Sequence, residues 1–220
     1  MQDIVEKIAL CVARGKISKS SWFPPDMKDQ VGADEIAADA LKNGIEPDVL
    51  LEGCMLGMEK VGEEFGNGKA AVTNLVISAE AMNAVMKHIK PFLESGKVKR
   101  KGKFVIGTVA GDLHDIGKNL VSMVIRGGGF EVIDLGVEVQ TNKFLETISQ
   151  HPGCFIGLSA LLTTTMPNME KSVKAIKETY PDIKVLVGGA PITQDFCNRI
   201  GADFYSPNPQ EAVEFLNKNV

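Results

Sequence analysis

The residues with the most chemistry in this 220-residue chain are an aspartate and a histidine two positions apart, Asp112 and His114. In a loop, that spacing lets the carboxylate reach one ring nitrogen of the imidazole and leaves the other free. The carboxylate then fixes the tautomer and raises the basicity of the ring as a metal ligand. An Asp-x-His pair in a loop is equally at home as a structural feature. No second histidine, cysteine or acidic cluster accompanies it at zinc-like spacing, which argues against a bare four-ligand metal site. A single protein ligand makes sense where the metal brings its other ligands with it, as a macrocycle does. Gly188-Gly189 has two readings: a tight strand-to-helix turn, or a place where missing side chains let a bulky ligand approach the backbone. Ser159 and Thr163–Thr165 likewise read as helix N-cap residues or as ligand contacts. Thr165, with Pro167 near N1, is the stronger capping candidate.

Apolar spacing shows what must position these residues. From Phe104 onward, short apolar runs alternate with amphipathic stretches. Strands are expected at Phe104–Val109, Glu131–Leu135, Cys154–Leu158, Ile183–Val187 and Asp203–Tyr205. Helices follow from about Gly117, from about Asn142, and over 167–179, 192–199 and 209–218. Five β/α repeats predict a flavodoxin-like (Rossmann-like) parallel sheet with helices on both faces. In such a sheet the first and third strands are neighbours where strand order reverses, and ligands sit outside their carboxyl ends. Asp112, His114, Ser159 and Thr165 would then share one rim.

Residues 1–95 show helical periodicity instead. One stripe runs Leu50, Leu51, Cys54, Met58, Val61, Phe65 after Pro47, and another runs from Leu75 through Met82 and Ile89 to Phe92. With weaker helices at 2–14 and 33–42, these predict a small four-helix bundle. An irregular segment, Ser18 to Gly32, separates the first two helices. A run of five bases in KVKRKGK (97–103) reads as a solvated linker, giving domains at 1–95 and 104–220 joined by 96–103.

Composition narrows the function classes. The net charge of −4 argues against a nucleic-acid partner, and the basic run at 97–103, which could touch phosphate, reads rather as the linker. No apolar run approaches the ~18 residues of a membrane helix, and Met1 to Arg14 lacks a signal-peptide layout, so the expected compartment is the cytoplasm. The four cysteines, 11, 54, 154 and 197, form no CxxC pair and read as buried thiols.

Taken together, the polar and glycine positions resemble the cobalamin-binding signature DxHxxG, 41 residues, SxL, 26 to 28 residues, GG. Here Asp112-x-His114-x-x-Gly117 is followed by 41 residues, Ser159-x-Leu161, 26 residues and Gly188-Gly189. Upstream, Gly57-Met58-x-x-Val61-Gly62-x-x-Phe65, then Asn67-Gly68-Lys69, Leu75 and Ser78-Ala79-Glu80-Ala81-Met82, resembles the helical cap of methyl-carrying members. The chain has Ala70-Ala71-Val72-Thr73 where that cap usually has an aromatic residue and a proline. The resemblance covers about residues 33 to 216 and points to the corrinoid proteins of three-component methyltransferase systems. Methionine synthase carries a similar module.

The resemblance implies a cofactor, methylcobalamin or another corrinoid of cobalt, held with its dimethylbenzimidazole tail off the metal. His114 would take the tail's place below cobalt, with Asp112 and Thr165 completing a relay that stabilises a proton on the imidazole once the methyl group leaves. Leu113, Asp115, Ile116, Gly117, Thr163 and Ala190 would border the cofactor, while Ser159, Leu161, Gly188 and Gly189 would line the cleft for the tail. It also implies partners: a donor-specific methyltransferase, a second methyltransferase acting on a methyl acceptor, and a reductive activator. The helical domain would cover the methyl face and swing away on the basic run. The chain itself would be a carrier that is not catalytic alone. A similar module also serves adenosylcobalamin-dependent isomerases and cobalamin-based regulators. The first needs a substrate barrel that is missing here, and the second a basic recognition helix that the acidic N-terminal half lacks.

Overall fold

The computed structural model describes residues 2–94 and 100–220. It comprises two compact units, Met1–Arg100 with Gly127–Gly129, and Lys101–Arg126 with Phe130–Val220. Residues 95–99, which include half of the 96–103 stretch expected to act as linker and hinge, lie outside the described residues.

The first unit is helical. It contains α1 (Gln2–Arg14), α2 (Ala33–Lys42), α3 (Pro47–Gly66) and α4 (Val72–Glu94). Pro47 opens α3 where its missing N–H costs nothing. The predicted stripes face inward: Leu50, Cys54, Met58 and Val61 on α3, and Leu75, Met82, Val85 and Ile89 on α4, are buried. The helix α3 meets α1 through glycines, since a Cβ at Gly53 or Gly57 would stand 2.7 Å from the Cβ of Ile8 or Val12.

The irregular segment between α1 and α2 is held by polar groups that periodicity does not reveal. Lys16 is fully buried, and its ammonium donates to the Ser21 carbonyl at 2.9 Å. Glu35 accepts from the Lys19 and Gly32 backbone N–H groups, both at 2.9 Å. A single 3-10 turn, Pro25–Met27, is its only regular piece among the described residues.

The second unit is a parallel five-stranded sheet in the order β2-β1-β3-β4-β5. Its strands are β1 (Lys103–Thr108), β2 (Glu131–Asp134), β3 (Phe155–Ser159), β4 (Val185–Gly188) and β5 (Phe204–Tyr205). They alternate with α5 (Ile116–Gly127), α6 (Thr141–Gln150), α7 (Met166–Thr179), α8 (Gln194–Ile200) and α9 (Pro209–Lys218). The sheet is the flavodoxin-like order expected, with β1 beside β3 at the reversal. The register pairs Thr108 with Ser159 and Ser159 with Gly188, so three strand exits lie level. The core is apolar and continuous, from Val105, Ile156 and Val185 in the sheet to Phe144, Val173 and Phe196 on the helices.

Element ends follow local chemistry. Strand β4 begins at Val185 and not at Ile183, because the Ile183 N–H closes a turn onto Tyr180 and its carbonyl takes the Lys177 ammonium. Helices α8 and α9 start where the Thr193 and Asn208 side chains accept from Phe196 and Glu211 N–H. Lys103, the last of the basic run, is the first residue of β1.

Candidate functional site

The exits of β1 and β3 are joined by one side chain. Asp112 follows β1 on a turn whose preceding residue, Gly111, has φ +81, and its carboxylate is fully buried. Oδ2 accepts from the Leu161 N–H at 2.8 Å, the Leu162 N–H at 3.2 Å and the Thr165 hydroxyl at 2.8 Å. Oδ1 accepts from the backbone N–H of His114 at 3.1 Å and from its ring Nδ1 at 2.7 Å. Burial alone would raise this carboxyl. The hydrogen bonds from Leu161, His114 and Thr165 outweigh burial and hold it well below the usual carboxylate range.

An ionised carboxylate only accepts, so Nδ1 carries a proton, and in the neutral ring it is Nε2 that has the lone pair. The His114 side chain is half exposed, at 50%, against 0% for Asp112. One ring nitrogen is therefore tied to the protein and the other is free to ligate. Among the described residues no group of three or more His, Cys, Asp or Glu could hold a bare metal ion. The four cysteines are buried and free. Burial pushes the Cys54 thiol up to about 12 and Cys11 and Cys154 up to about 11. Among the described residues the donor set is thus one imidazole, which suits a metal already equatorially ligated.

The surroundings are unusual for a solvent-facing rim. Leu113 is 68% exposed and Ile116 83%, and Leu161 and Leu162 are also exposed. Large apolar side chains gathered around one free nitrogen mark a binding surface for something flat and apolar. A Cβ on Gly117 would meet nothing within 4 Å, so this glycine is not needed for internal packing.

The other predicted positions fall as follows. Ser159 ends β3, half-buried, between Thr108 and Gly188. Gly188 leaves a space in which a Cβ would meet only the Ser206 carbonyl, at 3.2 Å. Gly189 is different. Its φ is +127 and a Cβ would lie 1.9 Å from the Ala160 carbonyl oxygen, so backbone packing against β3's exit already requires glycine there. Thr163, Asp115 and Ala190 are exposed, and Asp115 accepts from the Asn119 side chain at 3.0 Å. Thr165 stands at the N-cap position of α7 but makes no side-chain cap bond there. Its hydroxyl goes to Asp112, and also lies 2.8 Å from the Leu162 carbonyl.

Several residues of the site are not evident from spacing. Thr108, buried at the end of β1, donates through its hydroxyl to the His114 carbonyl at 2.8 Å. A hydroxyl closing an otherwise apolar strand is a signal that could have found it. Asn168 on α7 donates to the Ala110 carbonyl at 2.8 Å. The loop after β2 runs alongside: Glu138 N–H donates to the Asp112 carbonyl at 3.0 Å and Val139 N–H to that of Thr108 at 2.8 Å.

Residues 102–214 match a family described as B12 binding domain, and residues 28–90 match a second family of the same description. The chain is 41% identical over 202 residues to the trimethylamine corrinoid protein of Methanosarcina barkeri, covering 90% of this chain and 93% of that one. A cobalamin-binding protein from Desulfitobacterium hafniense DCB-2 has a similar structure, with TM-score 0.76, 29% identity and 98% of both chains covered. So does a chain of the methanol:cobalamin methyltransferase complex from Methanosarcina barkeri, at TM-score 0.80 and 26% identity, covering 99% of this chain and 79% of that one.

Proposed function

This chain belongs to the B12-binding corrinoid proteins of methyltransferase systems, and on that premise we propose that it carries a methyl group on a cobalt corrinoid whose lower axial ligand is His114. The carrying observation is the 2.7 Å bond from Nδ1 to a fully buried, charge-stabilised Asp112 carboxylate, which leaves Nε2 facing out. The residues present fit such a group: one ligating nitrogen, an apolar exposed rim and space at Gly117.

When bound, the corrinoid supplies a reversible methyl–metal bond. The chain's residues do the rest. Asp112 keeps the His114 ring in the Nδ1–H tautomer and fixes its pitch, and Thr165 holds Asp112 through a hydroxyl donated to Oδ2. Leu113, Ile116, Leu161 and Leu162 would give the ring system an apolar seat and keep water from it. Ser159, Gly188 and their neighbours Gly189 and Ala190 would receive the displaced nucleotide tail, with the Ser159 hydroxyl available as donor or acceptor.

The partners we assign are a methyltransferase that loads the methyl group, a second that removes it to an acceptor, and a reductive activator. A methylated amine is our donor class, because the chain is 41% identical over 202 residues to the trimethylamine corrinoid protein. Among the described residues no helix is long and apolar enough to cross a membrane.

The test is reconstitution with methylcobalamin followed by desalting and absorption spectroscopy. Wild-type protein should elute coloured with its imidazole on the metal. His114→Ala should keep some corrinoid and lose that ligation. A colourless wild type, or an unchanged methyl-cobalt spectrum in the variant, refutes the assignment.

A further inference from the structure

Lys118 lies in the first turn of α5, where a lysine would normally reach into water. Its side chain is 2% exposed. The ammonium donates to both carboxylate oxygens of Asp134, at 2.8 and 2.6 Å, and to Asn119 Oδ1 at 2.7 Å. Asp134 closes β2, and its Oδ1 also accepts from the Gly136 N–H at 2.9 Å.

From Gly136 the contacts return to His114. The Gly136 carbonyl accepts from the Thr108 N–H at 3.0 Å, and the Thr108 hydroxyl donates to the His114 carbonyl at 2.8 Å. The backbone then runs from His114 into α5 and back to Lys118. These bonds form a closed ring around the loop that bears the imidazole, and the Lys118–Asp134 pair is its charged link.

An ion pair with its lysine buried and its aspartate partly exposed, 2% against 27%, explains little as a stabiliser. Desolvation offsets its attraction, and apolar replacement of both partners is often neutral. It explains more as a gauge, because an ammonium held by two carboxylate oxygens fixes one separation between two backbone segments. Groups outside the first ligand shell commonly govern how a histidine meets its metal. We infer that Lys118 and Asp134 are positioning residues that set the height and pitch of the His114 loop, and so govern whether the imidazole engages the corrinoid metal. This rests on the reading of His114 as the lower ligand.

The experiment uses the full chain, labelled with 15N-histidine and loaded with cob(II)alamin, read by electron paramagnetic resonance. Nitrogen splitting from 15N-histidine is a doublet, whereas an unlabelled benzimidazole tail gives a triplet. Wild type should show the doublet. Lys118→Met should retain corrinoid but shift the ratio of ligated to unligated imidazole by about tenfold or more toward unligated. The double variant Lys118→Met with Asp134→Leu, which strands no charge, should do the same. Wild-type doublets in the folded variants overturn the inference and leave His114 standing. Unfolding of both variants would assign the pair to stability and overturn it equally. A wild type with no doublet would instead sink the His114 reading itself.

Discussion

Replacing Asp112 with asparagine removes one charge and about one atom's worth of chemistry, yet the geometry makes its consequence specific. The carboxylate accepts five hydrogen bonds, three on Oδ2 and two on Oδ1. An asparagine has a single acceptor oxygen. Pointing it at Leu161, Leu162 and Thr165 keeps three bonds and turns the amide NH2 toward His114. The His114 backbone N–H then loses its acceptor, and Nδ1 must offer a lone pair to the new donor. The ring proton moves to Nε2, the nitrogen that should ligate. One stranded N–H and the weakening of charge-assisted bonds together cost about 3 kcal/mol of stability. Acid narrows the difference. The folded Asp112 carboxyl lies below its unfolded value, so its stabilisation is complete above about pH 4 and fades as pH falls through the folded value. The gap between wild type and D112N should shrink by at most about 1.4 kcal/mol per pH unit in that acid window. Two-bond 1H–15N correlation spectra of the imidazoles report the tautomer directly, with only three histidines to assign. Denaturant titrations at pH 7 and at pH 3 to 4 report the rest. An Nδ1–H tautomer in D112N, or a stability loss under about 0.5 kcal/mol, would refute the reasoning.

Thr165→Val removes the buried hydroxyl that holds Oδ2 and should cost about 1–2 kcal/mol in denaturant titration, with weaker imidazole ligation in the loaded protein. The glycines should separate by role. Gly189→Ala drives a Cβ into the Ala160 carbonyl at positive φ, with a loss of about 3 kcal/mol or more measured by thermal unfolding. Gly117→Ala, with open space around it, should leave the unloaded chain more stable by about 0.5 kcal/mol and weaken corrinoid binding in the same preparation. Leu113→Ser or Ile116→Ser should change the unloaded stability by less than about 0.5 kcal/mol. Each should lower corrinoid affinity about tenfold in equilibrium titration, as expected for one apolar side chain left uncovered.

The alternation of apolar runs carried the sheet, because a strand buried on both faces tolerates little else between its turns. Val105, Ile156 and Val185 are such positions, and the strand order followed from the switch-point rule. Asp112, His114 and Thr165 were legible because strand exits are where side chains need not pack. Four residues were not. Thr108 looks like a strand residue and Lys118 like a helix surface residue until the fold brings both to one loop. Gly189 had two readings, a tight turn or room for a ligand, and the sequence does not reveal that the Ala160 carbonyl stands where its Cβ would be. Lys16, buried beneath the segment after α1, has the composition of a solvated residue and the contacts of a core one. Periodicity records which face is apolar. It does not record which polar atom has found a partner across the chain.

The same bonds serve fold and ligand. Leu161 and Leu162 present their N–H groups to Asp112 at the end of β3, so the carboxylate that sets the imidazole tautomer also ties the β1 exit to the β3 exit. Without it, the Leu161 and Leu162 N–H groups lose their acceptor. The partners of the Asp112 carboxylate are thus all groups of the chain itself. What folding leaves unfinished is the rim: Leu113, Ile116, Leu161 and Leu162 remain in water around a nitrogen with an unused lone pair. A ligand that covers the first and accepts the second recovers both terms at once, with no reordering of the loop that carries His114. That is why a flat, apolar, metal-centred ring suits this surface better than either a bare ion or a metal-free aromatic.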